Sequence, residues 1–223
     1  MTAMSILGPK RALFAEFAAV ARALGNERRL DLLEHLAQGE RSVEALAERT
    51  GIPFASVSQH LQALGKVGLV AARRNARHVL YRVADDAVIR LIASLREVAE
   101  QQVAEVDRII TRYFRDRDSM EPVSKDELLA RMSDGLVTIL DVRPEDEFAN
   151  GHLPGAINVP LSQLRKRLAE FAPGQEIVAY CRGPWCVLAF EAVALLRQEG
   201  LKASRLDGGL PEWKIAGLPV HTC

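Results

Sequence analysis

Across one short charged stretch, "DRDSMEP" (116–122), the spacing of apolar residues changes, and nothing else in the sequence constrains the fold as strongly. Upstream, apolar residues recur every three or four positions, as in Leu13, Phe14, Phe17, Val20, Ala21 and Leu24, the signature of helix faces. Downstream, "LVTILDV" and "EIVAYC", with a weaker "KASRL", are short runs rich in β-branched residues and bounded by turn signals. Helical patterns separate them at 125–132, 161–171 and 187–199. One period before the stretch and another after it predict two domains, 1–115 and 123–223, with 116–122 as the linker. A chain of 223 residues lets each half bury its own core.

Composition excludes several classes. No apolar run approaches the roughly 18 residues that span a bilayer, and the N-terminus has no apolar core before a small-residue cleavage site. No membrane association is expected, and the expected location is cytoplasmic. Three cysteines, two of them close together, make no disulfide framework; the pair points to redox, metal or nucleophilic chemistry. Formal net charge is zero, yet residues 1–118 hold 18 Lys+Arg against 15 Asp+Glu, a balance of +3. No acid occurs from Arg49 to Ala84, a stretch that carries Arg49, Lys66, Arg73, Arg74, Arg77 and Arg82. Such a basic surface is either a nucleic-acid footprint or a solvated face.

In the first half, Asn26 is a cap for a helix bearing Leu30, Leu33 and Leu36, and Ser42 a cap for one ending at Gly51. Pro53 suits the first turn of the next helix, in which Val57, Leu61 and Leu64 face inward. "LVAARR" and "HVLYRV" flank "NA" as a hairpin with an arginine-rich tip. A single helix is predicted over 85–114, roughly 45 Å long at about 1.5 Å per residue, with a narrow apolar stripe that calls for a partner helix or its own domain. Two short helices followed by a basic hairpin make a mainly-α winged helix-turn-helix.

The stretch from "LGNERRLDLLEHLA" through "SVSQHLQALGKVGLVAARRNARHVLYRV" resembles the ArsR/SmtB family of dimeric bacterial repressors over nearly all of 10–114. The resemblance implies a homodimer on double-stranded operator DNA. It implies Ser56, Ser58, Gln59 and His60 at the DNA surface, with Arg73, Arg74, Arg77 and His78 in or near the wing. Many relatives sense metals through cysteines in the third helix or Asp, His and Glu sets on the last one. Here "VEALAER" has no cysteine, and 85–114 has neither histidine nor cysteine. No metal site and no cofactor are expected.

In the second half, "ILDVRPEDEFANGHLPGAINVP" (139–160), "YCRGPWC" (180–186) and "DGGLPEWKIAGLPV" (207–220) resemble the rhodanese domain across roughly 123–220. The fold implied is an α/β rhodanese-like domain with a mostly parallel sheet, its reactive cysteine ending a central strand. Cys181 ends "EIVAY". Amides of loop 182–186 curling inward, and the positive end of the following helix, would favour a thiolate or persulfide anion there. Gly183 supplies backbone freedom, Pro184 stiffness and Arg182 positive charge at the rim. Asp141 and Arg143 match the family's "DVR" element beside the loop, in a supporting role. Cys186 stands where many thiosulfate-using members carry a polar residue. It is either a resolving thiol for a Cys181 persulfide or a buried small hydrophobe.

Two functions follow. One is a DNA-binding regulator, a repressor, that senses a small sulfur donor, a persulfide or the redox state through Cys181. The other is a rhodanese-type sulfurtransferase whose winged helix serves dimerisation or localisation.

Overall fold

The computed structural model describes residues 8–115, 121–135, 137–172 and 174–223. The chain forms two compact units, Met1–Val88 and Ile89–Cys223. Most of the expected linker, 116–120, lies outside the described residues.

The first unit opens with α1 (Pro9–Leu24) and α2 (Glu27–Leu36), the latter capped by Asn26, whose Oδ1 accepts from the Arg29 amide at 3.1 Å. β1 (Arg41–Ser42) leads into α3 (Val43–Thr50), where the Ser42 hydroxyl accepts from the Ala45 amide at 3.2 Å. Both caps satisfy amides that a helix start leaves without partners. α3 stops at Gly51, left-handed at φ 68°. Pro53 is the N-cap of α4 (Phe54–Lys66), one position earlier than the first turn expected for it. β2 (Val70–Asn75) and β3 (His78–Val83) pair antiparallel, and β1 joins the far side of β3. Asn75 pairs with His78, so the turn is Ala76–Arg77 rather than Asn75–Ala76. Ala76 takes the left-handed conformation, φ 51°, that a two-residue hairpin demands. Leu32, Leu33, Leu46, Val57, Leu61 and Leu64 are fully buried and form the core.

α5 (Asp86–Gln102) crosses from the first unit into the second, so the compact units divide inside a helix. The continuous helix expected over 85–114 is broken. Val103 is extended at φ −108°, and α6 (Ala104–Ile110) starts afresh, followed by a π-helical turn, Thr111–Arg115. A β-branched residue loses side-chain freedom in a helix and yields more readily than its neighbours.

The second unit continues with α7 (Lys125–Ser133), β4 (Val137–Asp141), α8 (Glu145–Asn150), β5 (Ile157–Asn158) and α9 (Leu161–Leu164). After a 3-10 turn at Leu168–Glu170 come β6 (Glu176–Cys181), α10 (Val187–Gln198), β7 (Lys202–Gly209) and α11 (Leu210–Ile215). The single helix expected over 161–171 is thus two short pieces. The sheet order is β5-β4-β6-β7, all parallel, which puts β6 in the interior. Alternation along β6 sorts its side chains. Ile177, Ala179 and Cys181 join one core with Val193 and Leu196 of α10, while Val178 and Tyr180 join the other with Leu128 and Trp213. The strand period therefore delivers Cys181 to the α10 face.

Core and surface of α4 should separate cleanly. Leu61→Ala is expected to cost about 2–5 kcal/mol in urea denaturation. Gln59→Ala, on the exposed side of the same helix, should cost less than about 0.5 kcal/mol.

Candidate thiol site and nucleic-acid interface

The thiol loop starts where β6 runs against β7. Cys181 is paired with Gly209 after a shift in register beyond Ala179. The approach is so close that a Cβ on Gly209 would lie 2.4 Å from the Cys181 carbonyl oxygen and 2.5 Å from the Gly183 nitrogen. Only glycine fits. The Gly209 amide donates to Glu212 Oε2 at 2.9 Å, and Gly208 beside it is left-handed at φ 105°. Gly183 was expected to supply backbone freedom, but its φ lies outside the left-handed region and a Cβ there would make only ordinary contacts. The need for glycine sits on β7 instead.

Cys181 and Cys186 are joined by a disulfide, Cα–Cα 6.1 Å. Cys186 is the N-cap of α10, so both sulfurs lie at the positive end of a 12-residue helix, where a thiolate is favoured. Cys181 is fully buried and Cys186 half-buried. The Cys186 amide donates to the Gly183 carbonyl at 3.2 Å and closes the loop as a turn, so this amide is not one of those expected to curl toward the sulfur. Arg182, expected to charge the rim, is neutralised. Its Nε and NH2 groups reach the Glu147 carboxylate at 3.0 and 2.7 Å, and Glu147 is fully buried.

Asp141 and Arg143 form a buried ion pair, Nε to Oδ1 3.0 Å, and the Arg143 amide donates to the same oxygen at 2.9 Å. Arg143 also donates to the Gly151 carbonyl at 2.8 Å, and the Tyr180 hydroxyl donates to Asp141 Oδ2 at 2.5 Å. Burial, with the Asp141 charge next to it, pushes the Tyr180 hydroxyl well above the usual phenol range, which keeps it a donor. Since Tyr180 and Cys181 point to opposite faces, this cluster braces the strand from behind and does not touch the sulfur. The role "beside the loop" becomes one of anchoring β4 and β6.

On α4, Val57 is buried, Ser56, Ser58 and His60 are half-buried and Gln59 is exposed. Burial, and the charges of Arg29 and Arg28, push the His60 imidazole below its ordinary value, so the ring is neutral near pH 7 and can both donate and accept. Arg73, Arg74, Arg77 and His78 are all exposed on the hairpin. Arg73 is held by Glu40, Nε to Oε2 2.6 Å, which leaves Arg74 and Arg77 nearer the tip. Phe54, 53% exposed at the start of α4, joins this surface without having been singled out in the sequence. Among the described residues, no cluster of three or more His, Cys, Asp or Glu side chains could hold a metal ion. No helix among them is long and apolar enough to cross a membrane.

Two family models match the chain: bacterial regulatory protein, arsR family, over residues 26–72, and rhodanese-like domain over 124–216. The HTH-type transcriptional regulator Rv0324 of Mycobacterium tuberculosis is 46% identical over 211 residues, covering 95% of this chain and 92% of the relative. The chain is an ArsR-family regulator with a C-terminal rhodanese-like domain. The regulator's first half is also 41% identical over 80 residues to the biofilm growth-associated repressor of Agrobacterium fabrum, covering 36% of this chain and 68% of that one. Its second half is 32% identical over 85 residues to a sulfurtransferase of Allochromatium vinosum, covering 38% of this chain and 78% of that one.

Two sets of variants test the geometry. Gly209→Ala should destabilise the regulator by about 1–3 kcal/mol and slow disulfide formation, while Gly183→Ala leaves both nearly unchanged, as read by thermal melting and thiol alkylation. Asp141→Asn leaves Arg143 buried without its counter-charge and should cost about 3–5 kcal/mol in urea denaturation.

Proposed function

We propose that the regulator is a cytoplasmic, homodimeric repressor whose grip on operator DNA is set by sulfane sulfur, or by an oxidant, at Cys181. Residues 1–115 bind DNA and dimerise, 116–122 link, and 123–223 read the signal. In this reading Ser56, Ser58, Gln59 and His60 meet base edges in the major groove, and Arg73, Arg74, Arg77 and His78 meet phosphates or the minor groove. The exposed Leu13, Phe14 and Phe17 of α1 give the apolar surface that dimerisation would cover. No cofactor is required.

One observation carries the reading: the two loop thiols are close enough to be bonded, at the N-terminal end of α10. The Cys181 thiolate attacks the terminal sulfur of a persulfide donor RSSH, forming Cys181–S–SH and releasing RS⁻. The Cys186 thiolate then attacks the Cys181 sulfur, forming the Cys181–Cys186 bond and releasing HS⁻. Two cysteine thiols are oxidised, and one sulfane sulfur is reduced to hydrosulfide. A thiol reductant restores the starting state.

The likeness to a sulfurtransferase favours a second reading, in which Cys181 passes its sulfur to an acceptor in steady turnover. Cys186 competes with any such acceptor, because it discharges the persulfide within the loop.

A mobility-shift titration on DNA from the regulator's own promoter decides between them. The wild type should change affinity at least about tenfold between reduced and polysulfide-treated forms. Cys181→Ser should not respond. Equal affinity in every condition, together with sustained thiocyanate formation from cyanide, would leave the transfer reading standing alone.

A further inference from the structure

The thiol loop and the end of β7 packed against it are tied to α5 at two points one helical turn apart. Trp185, the residue before Cys186, donates its indole N–H to Glu100 of α5. Its ring packs against Phe114, centroids 5.3 Å apart, and Phe114 packs in turn on Phe190 of α10 at 4.9 Å. The second tie runs through Glu212. One carboxylate oxygen accepts from the Gly209 amide at 2.9 Å, the other from Arg96 NH2 at 2.9 Å. A Cβ on Gly183 would be 3.8 Å from that same arginine and 3.9 Å from Glu212, so the pair lies beside the loop backbone. Arg96 and Glu100 stand at i and i+4 with a 3.9 Å approach between them.

Every other side chain of the loop is held from elsewhere or lacks reach. Arg182 is locked to Glu147, and Pro184 donates nothing. Arg182, beside Cys181, is bonded to α8, whereas Trp185, beside Cys186, is bonded to α5, the helix that continues toward the wing. A shift of the Trp185 Cα with the opening or closing of the Cys181–Cys186 bond would be felt at the hydrogen bond to Glu100. α5 runs N-terminally through Val88 to Asp86, three residues after the wing strand β3 ends at Val83.

Resting on the sensing role above, we infer that Trp185–Glu100 and Glu212–Arg96 form a clamp through which helix α5 reads the state of the Cys181–Cys186 pair. The bond between the cysteines sets the position of Trp185. Trp185, together with the Arg96 contact, sets α5. The chemistry and its transmission therefore belong to different residues: Cys181 and Cys186 react, and Trp185, Glu100, Arg96 and Glu212 report.

Full-length protein with Arg96→Gln and Glu100→Gln combined, and separately Trp185→Phe, tests this. Trp185→Phe keeps a ring against Phe114 and removes only the indole donor, so it decides the matter if the charge variant does not fold. Disulfide formation with polysulfide is followed by thiol alkylation and mass spectrometry, and promoter affinity is measured in both states. The expected result is normal disulfide formation in both variants, with the at least about tenfold change of the wild type reduced to about twofold or less. Variants that form the disulfide and keep the full change overturn the clamp and leave sensing intact. Variants that no longer form it also overturn the clamp, because the contacts would then govern the chemistry instead of reporting it. A wild type whose affinity ignores its disulfide removes the sensing role, and the clamp with it.

Discussion

The backbone of Gly209 against the carbonyl of Cys181 is the contact on which the thiol site depends. Any side chain there would overlap the first peptide units of the loop. Because the contact is made by strand backbone, it fixes where β6 ends and where the loop departs. The same residue donates to Glu212, which makes the first turn of α11 part of the loop's support. The loop is therefore braced on one side by β7 and α11 and closed on the other by the N-cap of α10.

The sheet divides its labour by face. Cys181 projects toward α10 and joins the apolar core there, while its predecessor Tyr180 projects the other way and closes a buried polar cluster with Asp141 and Arg143. A buried ion pair with every oxygen engaged is stiff, since loss of one partner strands the other charge. The face that carries Cys181 is thus backed by a strand held firmly in register.

Local signals in the sequence were enough for much of the architecture. The Asn26 and Ser42 caps, the Gly51 stop, the basic hairpin and the parallel strands all announce themselves within a few residues, because capping and pleating are short-range effects. The break at Val103 carries no glycine or proline to announce it. The Glu147–Arg182 pair spans 35 positions and Trp185–Glu100 spans 85, so no periodicity could have joined them. "DGG" at 207–209 opens the third motif of the rhodanese resemblance; that its last glycine is pressed against Cys181 emerges only when β7 is laid beside β6. The motif "DVR" pointed to Asp141 and Arg143, but strand alternation put their bonds behind the sheet.

The two sulfurs of the loop differ in reach from solvent: Cys181 is wholly enclosed and Cys186 only partly so. In the proposed sensing role, a reducing thiol would therefore meet Cys186 first and form its mixed disulfide there. The sulfur it would expel is that of Cys181, which would leave at the N-terminal end of α10. Recovery in that role would thus be polarised: the outer cysteine would receive the reductant, and the inner one would be handed back for the next encounter.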